Sequence, residues 1–332
     1  MKYRSVTATR RGSPEVLRTE EHNLRAPRTG EVRIRTLAAG VCLPDVTARY
    51  GQTPVAPRTP FVPGYAIIGT VDAPGQGVTT VAAGDRVAAL SVFGGYAEYI
   101  YLPEEELIPV PEGLNPAEAV TVVLNYLVAF QVLHRRAKVK AGDKVLIVGA
   151  SGGVGTALLQ LGKLAGLKMY GLASRSKHSV VTALGATPID YHSQDWCSVV
   201  REAEPDGLDA VFDGIGGHYI DQGYSLLRRG GRLVEYGNPL SLRRLLVLLA
   251  KVALLTALPN GRSVKLYSTS VSKFNRRPFL EDWATLFRLL RERKIRPIIQ
   301  KRFPILEAAQ ANELLEGGQV IGNIVLPASE WL

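Results

Sequence analysis

One segment limits the possible folds of this chain more than any other: Lys144-Val-Leu-Ile-Val-Gly-Ala-Ser-Gly-Gly-Val-Gly155. An apolar run passes directly into a glycine-rich turn, and the turn opens a helix. Aligned to G-x-G-x-x-G it reads Ala150-x-Gly152-x-x-Gly155, with Ala in the first place. Small residues let backbone N–H groups approach a pyrophosphate while the positive helix end faces its charge. Ser151, Gly152, Gly153 and Val154 are the expected contacts. A glycine-rich turn can also simply close a loop, so its surroundings matter. KVLIVGA, KMYGLAS, LDAVFDG and GRLVEYG read as strands. Between them GGVGTALLQLGKLAG, KHSVVTALGA and HYIDQGYSLLRRGG read as helices, the last closed by Gly230-Gly231. Repeated β-α-β units of about 30 residues call for a parallel sheet with right-handed crossovers. A dinucleotide site is the reading that fits both turn and context.

The second strand shows which dinucleotide to expect. An NAD site usually places Asp or Glu about 20 residues beyond the turn, on the ribose 2′-hydroxyl. Here Gly171-Leu-Ala-Ser-Arg-Ser-Lys177 contains no carboxylate and two cations. Ser174, Arg175 and Lys177 therefore suit a 2′-phosphate, and NADPH is the expected cofactor. An ordinary basic loop before a helix is the alternative.

Residues 1–110 have a different texture. EVRIRTLAAGV, IIGTVDA, DRVAAL and GYAEYIYL are short β-type runs separated by Gly, Pro and Asp. From Asn115-Pro116 the pattern becomes helical, with Pro at the first helical position. The final 60 residues contain the helix FLEDWATLFRLLRERK and a last strand, VIGNIVLP.

With the glycine-rich turn in mid-chain behind a β-rich first third, the sequence resembles the medium-chain dehydrogenase/reductase superfamily, most closely its zinc-independent quinone oxidoreductase branch. The markers are Ala39-Gly-Val-Cys-Leu-Pro-Asp45, Pro63-Gly-Tyr-Ala-Ile-Ile-Gly69, Gly84-Asp-Arg-Val87, Gly94-Gly-Tyr-Ala-Glu98, the turn itself and Gly322-Asn-Ile-Val325. The resemblance implies an α/β fold: a doubly wound Rossmann parallel sheet inserted in a GroES-like β-rich catalytic domain. Its expected limits are 1–124 and 272–332 for the catalytic domain and 125–271 for the Rossmann domain, with the active site in the cleft between. It further implies Lys177 and Tyr191 at the adenosine phosphate. Ile215-Gly216 and Tyr236-Gly237 would lie along the ribose and nicotinamide, and Asn323 near the nicotinamide end. The implied activity is NADPH-dependent reduction of a quinone or an α,β-unsaturated carbonyl, with Tyr50 and Tyr65 as proton donors. Either tyrosine is equally readable as pocket wall. A zinc-free alcohol dehydrogenase and a non-catalytic NADPH-binding protein serving on membrane or RNA are the rival readings.

The zinc-dependent relatives carry a Cys at the position of Cys42, a His-Glu pair after Pro-Gly and a further Cys in the following helix. This chain keeps Cys42, has Tyr65-Ala66 in place of the pair, and has no cysteine in 115–135. Catalytic zinc takes three protein ligands, so no metal is expected and Cys42 reads as a buried small hydrophobe. Asp45 reads as a cap or structural hydrogen-bond acceptor. The two cysteines make no disulfide framework, and no apolar core follows the N-terminal charges, so a cytoplasmic protein is expected. Net charge is +10, but the basic residues are scattered, so no nucleic-acid partner is expected. The expected partners are instead a small apolar substrate and a second copy in a homodimer. Leu242–Leu258 is Leu-rich with three cations and too short for a transmembrane span. It reads as a lid or subunit contact, as a membrane-surface helix, or as plain core.

Overall fold

The computed structural model describes residues 1–53, 56–237, 240–270 and 275–332. In chain order the strands are β1 (Lys2–Ala8), β2 (Leu17–Asn23), β3 (Glu31–Val41), β4 (Ile67–Pro74), β5 (Arg86–Ala89), β6 (Tyr99–Pro103), β7 (Ile108–Pro109), β8 (Lys144–Val148), β9 (Lys168–Leu172), β10 (Ala186–Ile189), β11 (Leu208–Asp213), β12 (Leu227–Glu235), β13 (Ser263–Leu266), β14 (Ile299–Arg302) and β15 (Asn323–Pro327). They belong to two compact units, Met1–Leu124 with Trp283–Leu332, and Asn125–Asp282. The expected boundary at 271/272 lies outside the described residues. The observed limit, Asp282/Trp283, falls within the helix Arg277–Arg291.

In the first unit β3 is the organising strand. It pairs antiparallel with β4, β6 and β15, and alternating residues such as Val32 and Ile34 turn into a core shared with Ile67, Val71 and Leu326. Just after β3, the helix Leu43–Arg49 puts Asp45 in its first turn, 2% exposed. The Asp45 carboxylate accepts from the Cys42 N–H at 3.0 Å, the Gly64 N–H at 2.9 Å and the Tyr96 hydroxyl at 3.0 Å. It ties three distant stretches together, a structural acceptor as the sequence suggests. Cys42 is buried and donates its thiol to the same carboxylate, and burial pushes the thiol pKa well up.

The second unit is a six-stranded parallel sheet in the order β10-β9-β8-β11-β12-β13. From β8 the chain first winds outward through β9 and β10, then returns to build β11, β12 and β13 on the other side. The direction reverses between β8 and β11, and in such sheets ligands bind outside the strand ends at that point. β8 and β9 are buried on both faces, which is why they read as continuous apolar runs. Leu146, Leu172, Val211, Leu233, Trp196 and Tyr224 form the core.

One sequence expectation changes here and another narrows. The helix beginning at His218 ends at Ser225, and Leu227-Arg-Arg-Gly-Gly231 is the start of β12 rather than the end of the helix. The segment after residue 240 is a helix, Leu242–Ala257, capped by the Ser241 hydroxyl. No residue of it is buried, so it is not plain core. Leu248, Val252 and Leu255 pack on the unit's core, whereas Leu242, Leu246 and Leu254 are 58–65% exposed. The helical run Pro116–Ala137 is apolar and long enough to span a bilayer, but 83% of its apolar window is buried in protein, the pattern of a core helix. Its start is fixed by Asn115, whose side-chain oxygen accepts from the N–H groups of Ala117 and Glu118.

Candidate cofactor site

β8 ends at Val148 and the chain turns through Gly149, at φ +72°, into the helix Gly153–Leu164. The turn is held by the Gly152 N–H donating to the Gly149 carbonyl at 3.1 Å. Gly155 makes the packing possible: a Cβ there would lie 2.2 Å from the Gly149 oxygen. The helix begins at Gly152 with no side-chain cap, so its first N–H groups are left for a ligand or solvent. Ser151, Gly152, Gly153 and Val154 are thus placed at an open helix start, as the motif requires.

Beside this turn lies a cavity of about 250 Å3. It gathers Ser151, Ser174, Lys177, Tyr191 and Ile215 from four separate loops, with Val148, Gly149, Leu172, Ala173 and Tyr219 completing the wall. Five residues singled out from sequence therefore share one hollow at the strand ends. Lys177 is half-buried, and that burial lowers its ammonium pKa from the ordinary value. Arg175 is exposed and is not part of the wall. The neutral backbone end of β9 and the cationic side chain beyond it together favour an anion.

The loop that carries Ile215 and the loop after β12 rest on two carboxyls that sequence reading did not single out. Asp213 ends β11 and Glu235 ends β12, directly paired in register. Asp213 Oδ1 accepts from the N–H groups of Ile215 at 2.8 Å and Gly216 at 3.0 Å, and Glu235 Oε1 accepts from Gly237 N–H at 3.0 Å. Both are buried, at 0% and 4% exposure. Burial, reinforced by the neighbouring Asp213 carboxyl, pushes Glu235 up to about 9. Tyr236 lies over Gly214, where a Cβ would meet its ring at 2.5 Å. Tyr219 also escaped notice; its ring stacks on Trp196 at 5.9 Å while it lines the cavity. An acid closing an apolar strand within two residues of a glycine, as in Asp213-Gly214 and Glu235-Tyr236-Gly237, is the signal that marks both in the sequence.

Tyr50, Tyr65 and Asn323 belong to the other unit. The Tyr50 hydroxyl donates to Glu316 at 2.9 Å. Tyr65 is half-buried, and its carbonyl accepts from the Val92 N–H at 3.2 Å. Asn323 is 4% exposed and donates its side-chain amide to the Ile298 carbonyl at 2.9 Å. Among the described residues no three His, Cys, Asp or Glu side chains converge on a metal site.

Residues 28–112 match the alcohol dehydrogenase GroES-like domain family, and residues 184–326 match the zinc-binding dehydrogenase family. The chain is 31% identical over 325 residues to a 2-haloacrylate reductase from Burkholderia sp, covering 96% of each chain. It is 37% identical over 214 residues to the rat synaptic vesicle membrane protein VAT-1 homolog. That match takes in 64% of this chain and only about half, 53%, of the rat protein. The quinone oxidoreductase of Coxiella burnetii superposes with a TM-score of 0.85 at 29% identity, covering 99% of this chain and 100% of that one. A mycobacterial protein solved in complex with NADPH gives a TM-score of 0.83 at 30% identity, covering 98% and 99%.

Proposed function

Because this chain belongs to the medium-chain dehydrogenase/reductase superfamily, in its quinone oxidoreductase-like branch, we propose that it is an NADPH-dependent, zinc-independent reductase of quinones or α,β-unsaturated carbonyls. The observation that carries the reading is the cavity at the β8/β11 reversal, with Lys177 in its wall and no carboxylate at the end of β9. The open helix start at Gly152 and the close turn that Gly155 permits fit a pyrophosphate. Bound there, NADPH supplies the hydride.

The chain's own residues hold and orient. Ser151, Gly152, Gly153 and Val154 take the pyrophosphate, and Ser174, Arg175, Lys177 and Tyr191 take the adenosine phosphate. Ile215, Gly216, Tyr236, Gly237 and Asn323 are assigned to the ribose and nicotinamide. Tyr50 and Tyr65 are the proposed proton donors to the reduced acceptor. In this structure the Tyr50 proton is committed to Glu316, so acting as an acid requires that bond to open. Zinc independence is supported by the donor set. Cys42 is turned onto Asp45, and Tyr65-Ala66 offers no metal ligand. The proposal includes a cytoplasmic homodimer: both cysteines are free thiols, and β13 forms an edge of the parallel sheet that a second copy would cover.

The test is NADPH oxidation by the purified chain against a panel of quinones and enones. Turnover of either class supports the reading. A folded protein that binds NADPH and reduces none of them is a cofactor-binding protein without this reaction.

A further inference from the structure

The Asp213–Glu235 pair has no role in the chemistry above, yet it is costly to bury. Each carboxyl spends one oxygen on the backbone of the loop that follows its strand. The other oxygens, Asp213 Oδ2 and Glu235 Oε2, are buried with no donor. Neither side chain has an ion-pair partner among the described residues. The groups bearing on the pair are His218 and Tyr219 from the helix His218–Ser225 and Tyr236 from the loop after β12. The flanking strands contribute apolar residues there, Ile147 of β8 and Leu266 of β13. Two adjacent carboxylates cannot both stay charged in such a place. One proton between the orphaned oxygens satisfies both and leaves a single negative charge.

We propose that Asp213 and Glu235 are positioning residues that share one proton, and that this shared proton holds the loops 214–217 and 236–237 together in the form that accepts the nicotinamide cofactor. Ile215, at the tip of the first loop, is part of the cavity wall, so spacing between the loops is felt directly at the site. Loss of the proton sets two buried negative charges against each other and against the anionic cofactor. Cofactor affinity then falls in the alkaline range. The inference rests on the NADPH reading and deepens it.

The test is the NADPH dissociation constant measured at pH 7 and pH 10 for the full chain and for Glu235→Gln. The glutamine amide can donate to Asp213 and accept from Gly237 N–H, which reproduces the protonated pair without a titrating group. Affinity of the unaltered chain should weaken at least about tenfold across this range, and that of Glu235→Gln less than about threefold. Lys177 also loses charge on the alkaline side, but both proteins carry it, so only the part that disappears in the variant belongs to the pair. Asp213→Asn supplies the same comparison from the other partner. An unaltered chain that binds NADPH equally at both pH values overturns the inference, as does an identical loss in all three proteins. A folded chain that fails to bind NADPH at pH 7 overturns the cofactor reading itself, and this inference with it.

Discussion

The two ends of the parallel sheet in Asn125–Asp282 treat a buried glutamate in opposite ways. At the end where the strands begin, Glu204 is 3% exposed and is met by the ammonium groups of Lys144 at 2.5 Å and Lys168 at 2.6 Å, and by the Tyr170 hydroxyl at 2.6 Å. Those partners outweigh its burial and bring it down to about 2. At the end where the strands finish, Glu235 is equally buried and meets another carboxyl, and it rises to about 9. The first arrangement is complete within the chain and closes the base of the sheet. The second leaves oxygens without donors beside an uncapped helix start, and that incompleteness marks the end prepared for a ligand.

The contrast breaks most visibly at Glu204. Glu204→Ala should cost about 2–3 kcal/mol at pH 7 by stranding charged hydrogen bonds, a fall of roughly 5–10 °C in melting temperature for a unit of this size. Because its folded pKa is depressed, this stability is present above the ordinary carboxylate range and is lost as pH falls through about 2. Thermal melts of the two proteins should therefore converge in strong acid, while NADPH affinity at pH 7 changes less than about threefold. A variant that melts with the unaltered chain at pH 7 would remove the distinction between the two ends.

Glu235 should show the reverse sign at smaller size. Its folded pKa is raised, so its contribution is full below about 4.5 and declines as pH rises through about 9. Melting curves taken without cofactor should place Glu235→Gln level with the unaltered chain near pH 5 and a few degrees above it near pH 9. A variant less stable at both pH values would mean the carboxyl is needed as a charge. The smallest effect belongs to the exposed side of the helix Leu242–Ala257. Leu254→Ser should move stability by less than about 0.5 kcal/mol, whereas Leu255→Ser, which faces the core, should cost about 1–2 kcal/mol in denaturant unfolding. Equal costs at the two positions would show that the outward side is covered.

The sequence pattern reveals the start of the site better than its far side. Lys144–Gly155 carries the strand, the turn and the helix in one unbroken stretch, and the steric demand at Gly155 follows from that stretch alone. Lys177 and Ser174 follow from the absence of an acid at the end of β9. Asp213 and Glu235 lie 22 residues apart, each an isolated acid after an apolar run, and only the parallel register of β11 on β12 brings them together. The misplaced end of the helix after His218 has a local cause. Leu226 and Leu227 continue the apolar spacing of the helix, but Leu227 pairs with Leu208 across a bulge and begins β12. The inserted helix Leu43–Arg49 sits inside an otherwise β-type region and is signalled only by Pro44 in its first turn.

The most direct test of the claim that the finishing end of the sheet holds NADPH through its 2′-phosphate is a pair of dissociation constants, for NADPH and for NADH, measured at pH 7 with and without Lys177→Ala. A charged hydrogen bond to the phosphate contributes about 1.5–3 kcal/mol, and about 1.4 kcal/mol is one decade of affinity. The unaltered chain should prefer NADPH at least about tenfold, Lys177→Ala should bring the two constants close together, and Arg175→Ala, at an exposed residue outside the cavity wall, should do less. Equal constants in the unaltered chain, or a preference that survives Lys177→Ala, would contradict the account.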